Sequence, residues 1–215
     1  MPTLTRDTEF EKLCFDAMTE RSAELRGVRA DGIHMTDTIY CLTSVFYEKA
    51  NPLPPTDKSQ LYFAIGLGLE SVLFPSRMKA KPDIRDGIYY SPDLLLGLRF
   101  GELKSTRMSP GKINEFKDLP ETWQAQIMGY SYAKGLLDYW LAILYVIQPD
   151  YRCYHIAFAK DELWNAWIQR LGRKVILEEA LKRNEHPEPF KWNNGDWECQ
   201  SCQYRLRCGL GPKEG

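Results

Sequence analysis

The stretch GIYYSPDLLLGLRFGELK, residues 87–104, decides the fold. Apolar runs lie on either side of a central glycine, and glycines and a proline bound them, a pattern that predicts two strands joined by a turn. Because side chains of a strand alternate between its faces, we expect Glu102 and Lys104 on one face, with Leu103 pointing into the core behind them. Asp93 can reach that face from the neighbouring strand. Two carboxylates and an amine are therefore predicted to converge on one hairpin.

Such a cluster suits phosphodiester hydrolysis. Carboxylates hold Mg²⁺ or Mn²⁺, the metal activates a water, and an ammonium group orients that water or stabilises developing charge. A Glu-x-Lys tripeptide on a strand is by itself more often an ordinary surface ion pair. Two further features favour a site: Glu70 stands alone on an apolar helix face, and Gln126 and Tyr130 are spaced to share one face of a later helix.

Helical spacing of apolar residues predicts helices on both sides of this hairpin. The expected helices cover residues 7–25, 36–49, 57–73, 120–135 and 161–183. A second strand pair is expected over residues 140–148 and 151–159. Disorder is predicted for residues 110–117 and 185–189, and after residue 209.

This order of elements predicts an α/β fold, with a central mixed sheet of about four strands flanked by helices, a helical N-terminal lobe and a tail stapled beside it. With 215 residues, 44% of them hydrophobic, the chain can bury one substantial core, so we expect a single domain. Its expected parts are a helical lobe (1–80), a core (81–184) and a cysteine-bearing tail (185–215).

The charge balance limits how nucleic acid could bind. Lys and Arg number 28 against 29 Asp and Glu, so a net charge of -1 excludes a global positive field. DNA binding therefore requires a local groove. Arg107 and Lys112 could supply its charge, while Tyr89 and Trp123 could stack on bases. The alternative, which we hold equal, is a solvated surface for the basic residues and a core position for the aromatic ones.

The cysteines indicate a metal site. We find no apolar run long enough to span a membrane and no signal-peptide pattern, so we expect a cytoplasmic protein. Six cysteines in an intracellular protein favour metal or redox use over disulfides. Cys199, Cys202 and Cys208 lie close together, and three thiolates leave a tetrahedral zinc or a cubane iron–sulfur cluster one ligand short. A distant fourth ligand is required.

The residues leave the fourth ligand and the metal open, because spacing alone does not separate zinc from iron–sulfur. Cys41 lies on a predicted helix ahead of the acidic motif. The histidines could instead complete a zinc site: His34, His155 and His186. Cys14, on an apolar stripe, and Cys153, on a strand, are expected to be buried free cysteines.

Taken in order, the acidic and polar elements resemble the four motifs of the PD-(D/E)xK nucleases. The motifs are Gly66-x3-Glu70, Ser91-Pro92-Asp93, Gly101-Glu102-Leu103-Lys104-Ser105-Thr106 and Gln126-x3-Tyr130. The Gln-x3-Tyr element is similar to that of the RecB-like branch and of CRISPR-associated Cas-four exonucleases. Glu70 and the literal Ser-Pro-Asp resemble phage lambda-type recombination exonucleases. The resemblance spans about residues 36–208, and it departs from RecB and Cas-four proteins at Glu70, where these usually have histidine.

The resemblance implies a restriction-endonuclease-like core and a role for each matching residue. Lys104 would assist the attacking water, and Gln126 and Tyr130 would organise the substrate side. The implied ligands of Mg²⁺ or Mn²⁺ are Glu70, Asp93, Glu102 and the backbone carbonyl of Leu103. Similar proteins also carry one upstream cysteine before a C-terminal Cys-x2-Cys-x5-Cys, which implies a structural [4Fe-4S] cluster, with zinc as the lesser alternative. Its implied ligands are Cys41, Cys199, Cys202 and Cys208.

The implied activity is hydrolysis of DNA, chiefly by an exonuclease acting on single strands or DNA ends. Two alternatives stay open. One is a DNA-binding or processing subunit of a recombination or CRISPR spacer-acquisition complex, and the other is a structure-specific endonuclease. The implied partners are accordingly DNA, proteins of such complexes and further copies of the chain.

Overall fold

The computed structural model describes residues 6–26, 30–75, 78–189 and 197–209. Within these ranges the chain forms a mixed α/β structure with two mixed sheets, which confirms the α/β class. The helices are α1 (Thr8–Arg26), α2 (Leu42–Ala50), α3 (Asp57–Leu73), α4 (Glu121–Lys134), α5 (Lys160–Arg183) and α6 (Trp197–Ser201). The strands are β1 (Ile33–His34), β2 (Asp83–Arg85), β3 (Ile88–Tyr90), β4 (Leu94–Leu96), β5 (Arg99–Thr106), β6 (Asp138–Tyr145) and β7 (Asp150–Ala157).

The chain divides into two compact units, Met1–Ala30 with Pro54–Arg77, and Asp31–Leu53 with Met78–Gly215. In the first unit, α1 packs against α3. The second unit contains the sheets. The predicted helical lobe therefore differs from the observed division, because α2 and the turn before it pack with the sheet-containing unit. None of the helices in the described ranges combines the length and apolar character that a membrane crossing requires.

The four-stranded sheet has the order β4-β5-β6-β7. Its central strands β5 and β6 are parallel, so the chain must cross over between them, and α4 lies in that crossover. Glu102 stands opposite Leu141 on the face that packs into the core, and both are 1% exposed. Leu103 was predicted to fill the core behind the acid. It is only half-buried, because the opposite face of the sheet is less covered.

The upstream part of the predicted hairpin is a separate sheet. Ile88–Tyr90 does not continue into the four-stranded sheet but forms the middle of a three-stranded one, with the order β1-β3-β2. The turn near Gly97 joins β4 to β5, and it is the position where a positive φ of 64° favours glycine. The hairpin prediction therefore holds for β4 and β5 and is wrong for residues 88–90.

The helix predicted over residues 36–49 is broken in two. Met35–Thr38 is a 3₁₀ helix, and α2 begins only after Cys41, which is its N-cap residue. Two arginines of α5 explain the break. Arg170 Nη1 donates to the carbonyl of Thr38 at 2.8 Å, and Arg173 donates to the same carbonyl at 2.6 Å. The carbonyl of Thr38 therefore accepts from two guanidinium groups instead of from a helical N–H group.

The remaining long helices follow their predictions, and one predicted loop does not. Residues 110–117 were expected to be disordered, but they form 3₁₀ turns whose backbone N–H groups are bonded. The carboxylate of Asp118 accepts from Asn114 at 3.0 Å and from Glu115 at 2.9 Å. Residues 185–189 are also placed, since Thr43 Oγ1 donates to the carbonyl of Pro187 at 2.6 Å. The segment after residue 209 lies outside the described residues.

The 3₁₀ helix before α2 packs closely on α4 at Gly129. A Cβ atom added at Gly129 would stand 2.7 Å from Sδ of Met35, whose side chain is 1% exposed. Gly129 lies between Gln126 and Tyr130, so this contact fixes the helix turn that carries both residues. Glycine is therefore required there by packing, although its backbone is an ordinary helical one.

We expect Gly129→Ala to lower the free energy of unfolding by about 1–3 kcal/mol, the usual effect of overpacking a core. Gly172→Ala is the matched control, because Gly172 is an exposed residue of α5 with open space around it. That change should raise the free energy of unfolding by about 0.5–1 kcal/mol through helix propensity. Urea unfolding measures both, and equal effects in the two variants would contradict the close packing of Met35.

Candidate active site

Glu102 is the centre of a buried polar network between β5 and α4. Lys104 Nζ donates to Glu102 Oε1 at 2.7 Å, and Gln126 Nε2 donates to the same oxygen at 2.7 Å. Lys104 Nζ also donates to Gln126 Oε1 at 2.8 Å, which closes a triangle of hydrogen bonds. The prediction from strand alternation that Glu102 and Lys104 share a face is confirmed. The amide of Gln126 joins them because it can accept from one partner and donate to the other.

Asp93 joins this network from the start of β4. Its Oδ2 accepts from the backbone N–H of Leu103 at 2.9 Å, across the β4–β5 pair. Its carboxyl group also contributes to the raised pKa of Glu102, so the two acids are neighbours. The expectation that Asp93 reaches the Glu102 face is therefore met.

Burial and charge determine the protonation of the network. Burial raises the pKa of Glu102 to about 8, the neighbouring Asp93 adds to the rise, and Lys104 opposes it. Burial lowers the pKa of Lys104, but the carboxylates of Glu102 and Asp93 outweigh that effect and leave it above its ordinary value. The neighbouring acids thus stabilise the protonated, ammonium form of Lys104, which in turn balances their negative charge.

Tyr130 extends the network along α4. Gln126 Nε2 donates to the Tyr130 phenol at 3.1 Å, and the Ser91 backbone is also bonded to it. Burial raises the pKa of Tyr130 well above its ordinary value, so the phenol stays protonated. The i, i+4 pair of residues 126 and 130 therefore lies against the acids, as its position in the motif order implied.

Two tyrosines near the acids were missed from the sequence. Tyr139 on β6 is fully buried, and its pKa is raised well above the ordinary value by burial and then by Glu102. The predicted strand began one residue too late to include it, although the alternation with Leu141 indicates an inward side chain. Tyr40, 39% exposed, interacts electrostatically with Lys104 and Glu102. No sequence signal marked Tyr40, because its segment was assigned to a helix.

The donor set fits a hard divalent cation. Glu102 Oε2 is buried and has no hydrogen-bond partner among the described residues, and the carboxylate of Asp93 stands beside it. Mg²⁺ and Mn²⁺ prefer such oxygen ligands. Across residues 6–26, 30–75, 78–189 and 197–209, no three His, Cys, Asp or Glu side chains are already grouped to hold a metal ion. Glu70 belongs to α3 in the other unit, so its part as a ligand, like that of the Leu103 carbonyl, stays a prediction.

The candidate DNA contacts have different surroundings. Arg107 and Lys112 are exposed after β5. Trp123 is half-buried and packs against the core, while the ring of Tyr89 stacks on His34 with 5.3 Å between centroids. The basic pair is thus available to a phosphate backbone, and the two rings have packing roles within the protein that leave part of each surface accessible.

Cys41 and the three tail cysteines interact electrostatically within the sheet-containing unit, although among the described residues no three of them are already grouped to hold a metal ion. Cys41 is buried, and the tail cysteines are half-buried. Burial raises the pKa of Cys208 to about 11, and electrostatic interactions with Cys202, Cys41 and Cys199 add to the rise. Cys202 Sγ also accepts from the backbone N–H of Tyr204 at 3.4 Å, the kind of bond that stabilises metal-bound thiolates. Four thiols are the donors that a thiolate-ligated metal or cluster requires, so the chemistry of these residues suits one.

Two of the competing histidines make other contacts. His155 Nε2 bonds to Asp138 Oδ1 at 2.7 Å, and the ring of His186 lies against Tyr47 with 5.6 Å between centroids. Cys14 and Cys153 were expected to be buried, but both are exposed, because their helix and strand faces lack a covering layer. These positions favour Cys41 over a histidine as the partner of the tail cysteines.

No family model matches the chain, and no match was found among the curated proteins. A solved structure described as "Crystal structure of SSO0001" is similar to it, with a TM-score of 0.55 and 21% sequence identity. The similarity covers 95% of this chain and 96% of that chain. At this identity the likeness shows a shared fold, and it extends over nearly the whole of both proteins.

The raised pKa of Glu102 predicts a pH dependence of stability. Between the ordinary value of 4.5 and about 8, the folded protein holds a proton that the unfolded chain has released. Stability should therefore fall as pH rises through this window, by at most about 1.4 kcal/mol per pH unit. Without divalent cations, wild type should lose more stability than Glu102→Gln between about pH 5 and about pH 8. Parallel stability curves from urea unfolding would contradict the shift.

Proposed function

We propose that this protein is a divalent-metal-dependent DNA nuclease of the PD-(D/E)xK class, from its RecB-like branch. The observation that carries the proposal is the buried network of Asp93, Glu102, Lys104 and Gln126, in which one carboxylate oxygen of Glu102 keeps no hydrogen-bond partner among the described residues. A buried polar atom without a partner is costly, so it indicates a ligand that completes it. The order of the motifs and the mixed α/β fold support the same assignment.

Different side chains of the site would have different roles in hydrolysis. Asp93 and Glu102 would hold Mg²⁺ or Mn²⁺, together with Glu70 and the Leu103 carbonyl that the resemblance adds. When bound, the metal supplies an activated water and neutralises charge on the phosphate. Lys104, fixed by the acids and by Gln126, offers an ammonium group that orients the water or stabilises the developing negative charge.

The same contacts indicate which residues would face the DNA substrate. Gln126 and Tyr130 fix the helix that covers the acids, and Arg107 and Lys112 provide local positive charge in a chain whose net charge is -1. Binding of phosphates by a few exposed basic residues needs no global field. We propose an exonuclease on single strands or DNA ends, since both branches of the resemblance share that activity.

We expect Asp93→Asn, Glu102→Gln and Lys104→Met each to reduce cleavage by about 100-fold or more. These residues would act as a unit, so the loss of any one of them removes the function of the set. The matched control is Lys117→Ala, since Lys117 is 75% exposed and forms an ion pair with the exposed Glu115. Binding of single-stranded DNA, measured by fluorescence anisotropy with Ca²⁺, should change little in all four variants. A folded Lys104→Met enzyme with wild-type rates would disprove the assignment.

Different DNA substrates, rather than protein variants, distinguish an exonuclease from an endonuclease and from a DNA-binding subunit. The protein is purified without oxygen and incubated with Mg²⁺ or Mn²⁺ and DNA labelled at either end, single- and double-stranded. An exonuclease releases labelled mononucleotides or short products from ends and leaves circular single strands intact. Cleavage of circles would favour the endonuclease. Binding without cleavage of any substrate would favour the DNA-binding subunit of a larger complex.

We further propose a structural [4Fe-4S] cluster on Cys41, Cys199, Cys202 and Cys208. The electrostatic interaction of the buried Cys41 with the tail cysteines supports it, and the exposed Cys14 and Cys153 provide controls. Anaerobically purified wild type should be brown, with about four irons per chain and absorbance near roughly 400 nm. Cys41→Ser should lose most of the iron and lower the thermal midpoint, whereas Cys153→Ser should keep both. Stoichiometric zinc without iron would refute the cluster but keep the site.

A further inference from the structure

The C-terminal tail is held to α2 by contacts that involve no cysteine. Tyr47 Oη donates to the backbone carbonyl of Arg207 at 3.0 Å. Arg207 Nη1 donates to the carbonyl of Asn51, the C-cap residue of α2, at 2.7 Å. Arg207 is thus bonded to α2 through both its backbone and its side chain, and it is the residue directly before Cys208.

Two aromatic rings enclose the same guanidinium group. Arg207 Cζ stands 5.6 Å from the centroid of Tyr47 and 5.5 Å from that of Tyr204, and the two rings stack at 5.8 Å with an interplanar angle of 24°. A guanidinium over ring faces is attracted by their negative potential, more strongly when water is excluded. Tyr204 is 2% exposed, and its Oη accepts from the N–H of Leu53 at 3.2 Å.

The surroundings of the Arg207 side chain carry negative charge and therefore attract a cation. Arg207 lines a cavity of about 600 Å³ at which two helices end, α2 with its C-cap Asn51 and α5 with its C-cap Asn184. The carbonyl end of a helix carries partial negative charge, and Glu185 lines the same cavity. A positive side chain from the tail is therefore attracted to this corner independently of any metal.

The tail residues that make these contacts lie close to the tail cysteines in sequence. Tyr204 follows Cys202 by two residues, and Arg207 precedes Cys208 by one. Cys202 Sγ additionally stands 3.6 Å from Ser44 Oγ on α2, the helix that begins after Cys41. Fixing Tyr204 and Arg207 on α2 therefore holds Cys202 at the first turn of α2, the helix of which Cys41 is the N-cap residue.

We propose that Arg207 is a positioning residue that docks the tail on α2 and assembles the four-thiol site before iron or zinc binds. The inference rests on the proposed thiol site and not on nuclease activity. With the tail already docked, metal loading requires no folding of the tail. Loss of Arg207 should therefore slow loading more than it lowers the final metal content.

The test uses full-length protein, stripped of metal and kept reduced without oxygen. Hydrogen exchange, read by mass spectrometry, follows peptides of residues 197–209, with β6 as the reference for the folded core. The variants are Arg207→Ala, Arg207→Lys and Tyr47→Phe, and Arg183→Ala is the charge-matched control. Arg183 lies at the end of α5, where its side chain is 69% exposed. Ferrous iron and sulfide are then added, and absorbance and iron content are followed with time.

Metal-free wild type should keep its tail protected. Arg207→Ala should speed tail exchange and slow cluster assembly, each on the order of tenfold, because bonds and ring contacts of one side chain are lost. Final iron content should approach that of wild type. Arg207→Lys should recover part of both effects, since it keeps the charge and loses the planar fork. Arg183→Ala should match wild type.

The proposal is overturned if the metal-free wild-type tail exchanges like an unstructured peptide, since the metal and not Arg207 would then dock it. It is overturned equally if Arg207→Ala leaves tail exchange unchanged. If Arg207→Ala also loses protection in β6, Tyr47→Phe decides, because it removes one hydrogen bond and keeps the ring. Unchanged tail exchange in that variant would refute the inference. Nuclease activity is not a readout, so failure of the nuclease proposal would be separately visible.

Discussion

The burial of Glu102 beside Lys104 is the constraint on which the rest of the sheet-containing unit depends. A buried charge without a partner costs several kcal/mol, so the carboxylate, the ammonium and the amide of Gln126 must meet with good geometry. That requirement fixes α4 over β5 at Gln126. It also explains Gly129, because the turn that carries Gln126 must approach the Met35 segment closely.

The segment before α2 connects this network to the thiol group. Arg170 and Arg173 hold the carbonyl of Thr38, and Arg173 also donates to that of Tyr40 at 2.5 Å. The side chain of Tyr40 interacts with Lys104, while the next residue is Cys41. One rigid stretch of backbone therefore borders both groups, although the chemistry proposed for them is different.

Local patterns in the sequence predicted the residues that converge on β5. Strand alternation placed Glu102 with Lys104, and helical spacing placed Gln126 with Tyr130, because both rules depend only on nearby residues. Tyr40 and Tyr139 could not be placed in the same way. Tyr40 depends on arginines far along the chain that interrupt a helix, and Tyr139 on a strand boundary. The separation of Ile88–Tyr90 into another sheet likewise depends on pairing with β1, which is too short to show a pattern.

The acidic network around Glu102 and the group of four cysteines differ in how far apart their residues lie along the chain. Asp93 to Tyr139 spans one continuous strand–helix–strand segment, whereas Cys41 and Cys199 stand at nearly opposite ends. During synthesis at about 5–20 residues per second, Cys41 would be made roughly 8–30 seconds before the tail cysteines exist. Throughout that interval its thiol has no partners for a cluster and must be protected by packing alone. The acidic network, by contrast, can form while the tail is still being made.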